Sequence, residues 1–206
     1  MLNRIRKDIE PLTNSLALRL ASTGLSPNTW TLLGFFSALL AGVLYALNSY
    51  IQYAYLYAGI ALLTSGFFDI VDGSVARVTK KVSSIGAFLD STLDRVSEVA
   101  LFIGIIASNV MNPLLVALAL ALSLLVSYSR AKADSIGVNL QGIGIGERAE
   151  RLIILAVSSI IASIISIELI QYGIIIIVIL AGITFVHRIL SVFNAMAQRS
   201  SSPPQP

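Results

Sequence analysis

The chain has 206 residues, of which 56% are hydrophobic and only 12% charged, and its formal net charge is +3. This balance excludes an ordinary soluble domain and predicts an integral-membrane protein. The length accommodates about six spans of roughly 20 residues each, which excludes a separate soluble domain. The absence of cysteine excludes disulfide bonds and thiolate metal sites.

An amphipathic segment at residues 2–22 precedes the first long apolar stretch. Its apolar residues recur at helical spacing, and basic side chains lie between them. This pattern predicts a helix that lies in the membrane surface, with a kink at Pro11. The apolar positions are Leu2, Ile5, Ile9, Leu12, Leu16 and Leu20, and the basic positions are Arg4, Arg6, Lys7 and Arg19.

Six apolar segments follow, and they predict an all-α integral-membrane fold in which the interfacial helix is followed by six transmembrane helices. The spans are predicted near residues 28–47, 53–79, 84–108, 113–135, 149–168 and 172–194. We expect residues 1–199 to form one membrane domain and residues 200–206 to form a disordered tail. The alternating glycines at 142–146 predict a flexible connector between two helices.

The basic residues predict the orientation of these spans. All fourteen lie in the N-terminal segment, around the second-to-third and fourth-to-fifth connections, or near the C-terminus. The loops near Asn48, Asn109 and Gln171 have none. By the positive-inside rule, both termini and the two basic connections face the cytoplasm. We therefore expect a multi-pass protein of the cell (plasma) membrane with a cytoplasmic active site.

Five carboxylates interrupt the second and third spans, where a lipid-facing helix would carry none. Asp69 and Asp72 are spaced i, i+3, and Asp90 and Asp94 are spaced i, i+4, so each pair lies on one helix face. Four like charges brought together favour a hard divalent cation with oxygen ligands, such as Mg²⁺ or Mn²⁺. Glu98 is either an additional acid of this group or a buried partner of Arg95.

A structural interpretation of these acids is also open, since they could pair with cations at the cytoplasmic interface. The available partners are Arg77, Lys80, Lys81 and Arg95. The small residues among the acids favour a bound ligand instead, because Gly73, Ala76 and Gly86 would let a bulky planar group approach the backbone. It is this combination of acids and small residues that favours the functional interpretation.

The string Asp69-x2-Asp72-Gly73-x2-Ala76-Arg77-x8-Gly86-x3-Asp90-x3-Asp94 resembles the signature of the CDP-alcohol phosphotransferase family at every position. The entry to the first span, Ser26-Pro27-Asn28-x2-Thr31, is also similar to that of the family. The resemblance implies a membrane enzyme, a homodimer, that transfers the phospho-lipid group of a CDP-lipid to an alcohol.

This resemblance also implies roles for individual residues. Two Mg²⁺ or Mn²⁺ ions would be held by Asp69, Asp72, Asp90 and Asp94, and Asp94 would be the general base. The CDP group would be bound by Pro27, Thr31, Asp69, Asp72, Gly73, Ala76, Arg77, Gly86 and Asp90. No feature of the sequence requires a covalent phospho-enzyme, so we predict direct attack by the acceptor.

Two further strings predict the acceptor. Residues 127–134, Ser-Tyr-Ser-Arg-Ala-Lys-Ala-Asp, and residues 147–151, Glu-Arg-Ala-Glu-Arg, resemble segments of the family members that use inositol phosphate. The sequence departs from them by exchanging Lys and Arg and by carrying Ala149 instead of proline. The resemblance implies that the phosphate of myo-inositol 1-phosphate is held by Ser127, Arg130, Lys132, Arg148, Arg151 and Arg188.

Several alternatives remain open at this stage. Glycerol 3-phosphate and serine are rival acceptors, and both CDP-archaeol and CDP-diacylglycerol suit generic apolar grooves. A divalent cation transporter is the candidate from another functional class, because intramembrane carboxylates also line ion pathways. A transporter would favour acids near the midplane and inverted repeats, and neither is visible here. We expect no nucleic-acid partner.

Overall fold

The computed structural model of the protein describes residues 16–201, with side chains described through residue 199. In this range all regular secondary structure is helical, which confirms the predicted all-α class. A short helix at residues 16–21 is followed by α1 (Pro27–Ala46), α2 (Ala54–Val78), α3 (Ser84–Ala107), α4 (Pro113–Ser135), α5 (Arg148–Ile164) and α6 (Ile170–Ser201). A 3₁₀ turn at Ile167–Leu169 precedes α6.

The predicted surface helix lies mostly outside the described residues, which contain only its last part. Helical residues 16–21 bring Ala17 into a small buried cluster with Trp30, Val71 and Val75. The end of this segment therefore packs where α1 begins and α2 ends, next to the acidic part of α2.

Side-chain caps explain why several helices begin close to their predicted starts. Ser26 Oγ accepts the Thr29 N–H at 3.2 Å before α1, and Ser83 Oγ accepts the Gly86 N–H at 3.0 Å before α3. Each cap satisfies a backbone donor that the first helical turn leaves without a partner.

The last two helices differ from their predicted ranges. Helix α5 ends at Ile164 because Ser166 adopts an extended conformation, whereas the prediction continued to residue 168. Helix α6 continues to Ser201, and no glycine or proline interrupts it after Gly182. It therefore includes the first two residues of the segment predicted to be a disordered tail, and residues 202–206 lie outside the described range.

Within residues 16–201, four segments are long and apolar enough to cross a membrane, namely α1, α2, α4 and Ile167–Arg199. These segments support a membrane protein. Helices α3 and α5 are the two that do not meet this criterion. Helix α3 carries Asp90, Asp94 and Glu98 within its 24 residues, and α5 has only 17 residues and carries Arg148 and Arg151.

Helix α1 packs against both α2 and α3, α5 packs against α2, and α6 packs against α4 and α5. The central core contains small residues that allow close helix packing, such as Ala38 and Ala41 of α1 and Ala58 of α2. A close approach joins α1 to α3, where a Cβ atom on Gly104 would collide with the carbonyl oxygen of Gly42.

This contact predicts that Gly104→Ala destabilises the protein. The added methyl group meets backbone rather than a movable side chain, and overpacking of this kind costs about 1–3 kcal/mol. Gly66→Ala is the matched control, because a Cβ atom there has no neighbour within 4 Å. Unfolding in detergent should show a lower free energy of unfolding for Gly104→Ala alone. Equal stability of the two variants would contradict the close approach.

The connector between α4 and α5 is anchored to α6, so the prediction of a flexible connector is wrong. Thr184 Oγ1 accepts the N–H groups of Ile145 at 3.1 Å and Gly146 at 2.9 Å. Gly146 lies against the backbone of Leu180 with no room for a Cβ atom, and Gly144 has a φ of +120°. These glycines therefore permit close packing and an unusual backbone conformation rather than mobility.

Candidate active site

The predicted carboxylates surround a cleft between α2 and α3, near the ends that a short turn joins. Since α1 packs against both helices, their acidic faces stand opposite each other across the cleft. The spacing of the acids, i to i+3 and i to i+4, turns the members of each pair toward this cleft. Its walls are formed by Thr31, Gly34, Phe35, Ser65, Asp69, Asp72, Asp90, Leu93, Asp94, Ser97 and Arg148.

Three of the four predicted metal ligands come together in the structure. Asp69, Asp90 and Asp94 each offer an oxygen, and these oxygens all lie within 4.8 Å of one another. The Asp69 side chain is 40% exposed and that of Asp94 is 17% exposed, so the group extends from the mouth of the cleft inward. Asp72 lines the same cleft but is not one of the three.

This donor set fits a divalent metal ion. All of the acidic ligands are oxygens, which hard cations such as Mg²⁺ and Mn²⁺ prefer. Asp72 Oδ2 is buried and has no hydrogen-bond partner in the part of the chain that the structure describes. A buried carboxylate oxygen without a partner is costly, and a divalent cation bound in this cleft would supply one.

Arg148 connects the two sides of the acidic cleft. It lies at the start of α5, and its Nη1 donates to Asp69 Oδ1 at 2.9 Å while its Nη2 lies 2.9 Å from Asp94 Oδ1. Its side chain is only 18% exposed, and its Nε has no partner among residues 16–199. The arrangement places one fixed positive charge among the carboxylates and leaves one guanidinium donor unused.

A second ion pair lies deeper between the same helices. Glu98 Oε1 accepts from Arg151 Nε at 3.1 Å and from Arg151 Nη2 at 2.6 Å, and both residues are 2% exposed. Of the two alternatives for Glu98, the pairing with Arg95 is therefore wrong, and its partner is Arg151. Arg95 instead donates to the Ser91 carbonyl at 2.6 Å. The signal in the sequence is spacing, since Glu98 and Arg151 continue the helix faces of Asp94 and Arg148.

The residues predicted to bind CDP lie on three helical segments around the cleft. Pro27 and Thr31 are in the first turns of α1, and Thr31 lines the cleft. Gly86 lies in the first turn of α3, and a Cβ atom there would approach Asn28 Oδ1 to 3.3 Å. Arg77 is exposed and donates to Ser74 Oγ at 3.0 Å. Gly73 and Ala76 are partly buried.

The residues predicted to bind the acceptor phosphate fall into two groups. Arg130 and Lys132 are exposed near the end of α4, Ser127 is partly buried one turn earlier, and Arg148 lines the acidic cleft. Arg151 and Arg188 are instead 2% exposed and bonded to protein groups.

The guanidinium group of Arg188 donates hydrogen bonds to protein groups from all three of its nitrogens. Its Nε donates to the Ile143 carbonyl at 3.0 Å, its Nη1 to the Val126 carbonyl at 2.6 Å, and its Nη2 to Glu147 at 3.2 Å. The sequence predicts Arg188 as a cation near the acceptor, but its pattern does not indicate these contacts with backbone carbonyl groups. Such contacts depend on the conformation of the connector, which spacing alone does not reveal.

Comparison with known proteins gives a consistent result. The chain matches the CDP-alcohol phosphatidyltransferase family over residues 25–197. It is 37% identical to the archaetidylinositol phosphate synthase of Pyrococcus horikoshii over 189 residues, which are 92% of this chain and 95% of that protein.

Two crystal structures of the phosphatidylinositol phosphate synthase of Mycobacterium tuberculosis have a similar fold. The one with CDP-DAG bound gives a TM-score of 0.76 at 25% identity, over 89% of this chain and 94% of that chain. The one in complex with manganese and citrate gives 0.75 at 26% identity, over 88% of each chain. Because the family match includes the whole acidic cleft and most of the chain, this protein is an enzyme of the CDP-alcohol phosphatidyltransferase family.

Proposed function

We propose that this enzyme transfers the phospho-lipid group of a CDP-lipid to myo-inositol 1-phosphate and releases CMP. The product is an archaetidyl- or phosphatidylinositol phosphate, according to whether the donor is CDP-archaeol or CDP-diacylglycerol. The observation that carries the proposal is the cluster of Asp69, Asp90 and Asp94, bridged by Arg148, in a chain whose relatives are named as archaetidylinositol phosphate and phosphatidylinositol phosphate synthases.

The proposed arrangement in the membrane has six spans, with α3 and α5 crossing beside the four apolar segments. Helix α3 has 24 residues, and its acids turn toward the cleft rather than toward lipid. Both termini and the cleft face the cytoplasm of a plasma-membrane protein. The positive-inside distribution supports this orientation. The proposed assembly is a homodimer of one membrane domain, residues 1–199.

The donor site combines the acidic cleft with the small residues at its mouth. Asp69, Asp72, Asp90 and Asp94 would hold two Mg²⁺ or Mn²⁺ ions, which would neutralise the diphosphate and stabilise the leaving oxygen. The nucleotide would lie along Pro27, Thr31, Gly73, Ala76, Arg77 and Gly86. The CDP-DAG and manganese complexes of the Mycobacterium tuberculosis enzyme support this assignment.

The reaction is a direct displacement at phosphorus. Asp94 accepts the proton of the inositol hydroxyl, and the hydroxyl oxygen forms a bond to the phosphorus that carries the lipid. The bond between this phosphorus and the oxygen bridging the diphosphate breaks, and CMP leaves with that oxygen. The proton on Asp94 then passes to solvent. No step attaches the lipid to the protein.

The acceptor phosphate occupies the positive side of the cleft. Arg148 faces the acids with one unused Nε donor, and the exposed Arg130 and Lys132 supply further charge near the end of α4. Ser127 adds a hydroxyl on the same helix. We assign the buried Arg188 to support of this site, because its guanidinium is already bonded to two carbonyl groups and Glu147.

An acceptor assay tests the proposal. Purified enzyme with CDP-archaeol or CDP-diacylglycerol and Mn²⁺ or Mg²⁺ is incubated with labelled myo-inositol 1-phosphate, glycerol 3-phosphate or serine. We expect labelled lipid and an equal amount of CMP with inositol 1-phosphate only. The cationic side of the cleft needs a phosphate to neutralise it, which disfavours serine. The names of the relatives favour inositol 1-phosphate over glycerol 3-phosphate.

The other outcomes separate the rival functions. Labelled lipid from glycerol 3-phosphate or serine, with none from inositol 1-phosphate, would replace the acceptor while keeping the enzyme class. Metal-dependent cation flux into vesicles without CMP release would instead indicate a transporter. A phosphorylated or lipidated protein isolated during turnover would contradict direct displacement.

A further inference from the structure

The connector at residues 142–147 is held in place from three sides. On one side, Thr184 of α6 accepts the N–H groups of Ile145 and Gly146. On the second, Arg188 of α6 donates to the Ile143 carbonyl at 3.0 Å. On the third, Arg151 Nη1 donates to the Gly146 carbonyl at 2.8 Å. The backbone that leads into α5 is therefore fixed before the helix begins.

Glu98 is what keeps Arg151 in this position. Its Oε1 receives both Arg151 Nε and Arg151 Nη2, so the guanidinium is bound edge-on and its remaining donor points at Gly146. Both side chains are 2% exposed. Removing either partner leaves the other charge buried and uncompensated, which is strongly unfavourable. The two residues therefore act as a unit.

The same unit fixes the direction of Arg148. Arg148 and Arg151 are spaced i, i+3 on the first turn of α5, and Asp94 and Glu98 are spaced i, i+4 on α3, so two successive ion pairs join the same helix faces. The inner pair is buried, whereas the Arg148–Asp94 pair lines the cleft with side chains that are 18% and 17% exposed. A fixed inner pair therefore aims the outer guanidinium at Asp69 and Asp94.

We propose that Glu98 and Arg151 form a positioning pair that holds the connector and aims Arg148 into the active site. Arg151 does not contact the acceptor phosphate, which differs from the role that its sequence motif implies. The consequence for catalysis rests on the proposed function, in which Arg148 binds that phosphate. The anchoring of the connector does not depend on the proposed function, because it follows from the hydrogen bonds in the structure.

A double-mutant cycle tests this assignment in the full-length enzyme. Glu98→Ala, Arg151→Ala and the double variant are compared, with Glu168→Gln as the control because Glu168 is an exposed acid in the 3₁₀ turn before α6. Each variant is assayed for the KM of inositol 1-phosphate and of CDP-lipid. Hydrogen exchange of residues 142–147 is measured on the same samples.

We expect each single variant to raise the KM of inositol 1-phosphate by about tenfold or more, and the double variant to be no worse than either, because residues acting as a unit are not additive. The KM of CDP-lipid should change by less than about twofold, since the donor residues lie on α1, α2 and α3. Exchange of the Ile145 and Gly146 amides should be faster in all three variants and unchanged in Glu168→Gln. Glu98→Asp should recover part of the loss.

Two results would overturn the proposal. One is a severe effect of Arg151→Ala alongside near-normal Glu98→Ala, which would mean that Arg151 binds the acceptor directly. The other is unchanged exchange at residues 142–147 in Glu98→Gln, a milder variant for use if the alanine variants do not fold. The hydrogen-exchange measurement needs no substrate. If the proposed acceptor is wrong, only the kinetic results will differ from expectation, and the exchange results will be unaffected.

Discussion

Replacing Asp94 with asparagine is expected to lower kcat by at least about 10³-fold. A positioned general base contributes about 10²–10⁴-fold, and Asp94 also supplies one of the three oxygens that lie within 4.8 Å of one another. Asparagine keeps the shape of the side chain but can neither take the acceptor proton nor carry negative charge. The effect should therefore appear in kcat at saturating acceptor and CDP-lipid.

The Asp94→Asn variant should lose activity but keep its thermal stability. Asp94→Asn removes one of three clustered like charges, and Asp69 still pairs with Arg148 at 2.9 Å. We therefore expect no loss of thermal stability in metal-free buffer, because catalytic clusters of like charge are held together at some cost. Thr92→Ala is the matched control, since Thr92 is exposed on the same helix. Activity of Asp94→Asn within tenfold of the wild type would contradict the general-base assignment.

Replacing Arg148 with alanine is expected to raise the KM of inositol 1-phosphate by about 100-fold. Arg148 is the cation that lines the acidic cleft, and hydrogen bonds between charged groups are worth about 1.5–3 kcal/mol each. Lysine should recover little of the loss, because a single ammonium cannot bridge Asp69 and Asp94 as the planar guanidinium does. Steady-state kinetics with varied acceptor measure both effects.

The dependence of activity on metal concentration distinguishes a role of Arg148 in acceptor binding from a role in the metal site. Removing a positive charge from beside the carboxylates lowers the repulsion felt by a divalent cation, so half-saturation by Mn²⁺ should occur at the same or a lower concentration in Arg148→Ala. More metal should therefore not restore the acceptor KM. Restoration by added Mn²⁺ would mean that Arg148 serves the metal site rather than the acceptor.

Much of this architecture follows from patterns that the sequence displays directly. Apolar runs predict the helices because every backbone group in a bilayer must be bonded internally. The i, i+3 and i, i+4 spacings of the acids predict that each pair shares a helix face, and Asp69, Asp90 and Asp94 do meet. These features depend on local periodicity, which survives in a single sequence.

Features that depend on packing between distant helices could not be predicted. Glu98 and Arg151 are 53 positions apart, and the choice of Arg151 over the nearby Arg95 depends on where the start of α5 lies relative to α3. The glycines of the connector predicted mobility, yet Gly146 is required because the backbone of Leu180 fills the space of a side chain. The sequence shows that a residue is small, but only its neighbours in the folded structure show why a small residue is needed there.

Of the six numbered helices, α3 and α5 are the two that do not qualify as apolar spans by themselves, and they are joined by the Asp94–Arg148 and Glu98–Arg151 pairs. This has a consequence for biogenesis in the proposed six-span arrangement. During synthesis α3 leaves the ribosome well before α5, with its acids still lacking their partners. Stable insertion of α3 then requires it to wait at the bilayer surface, or beside the translocon, until α5 arrives with the compensating charges.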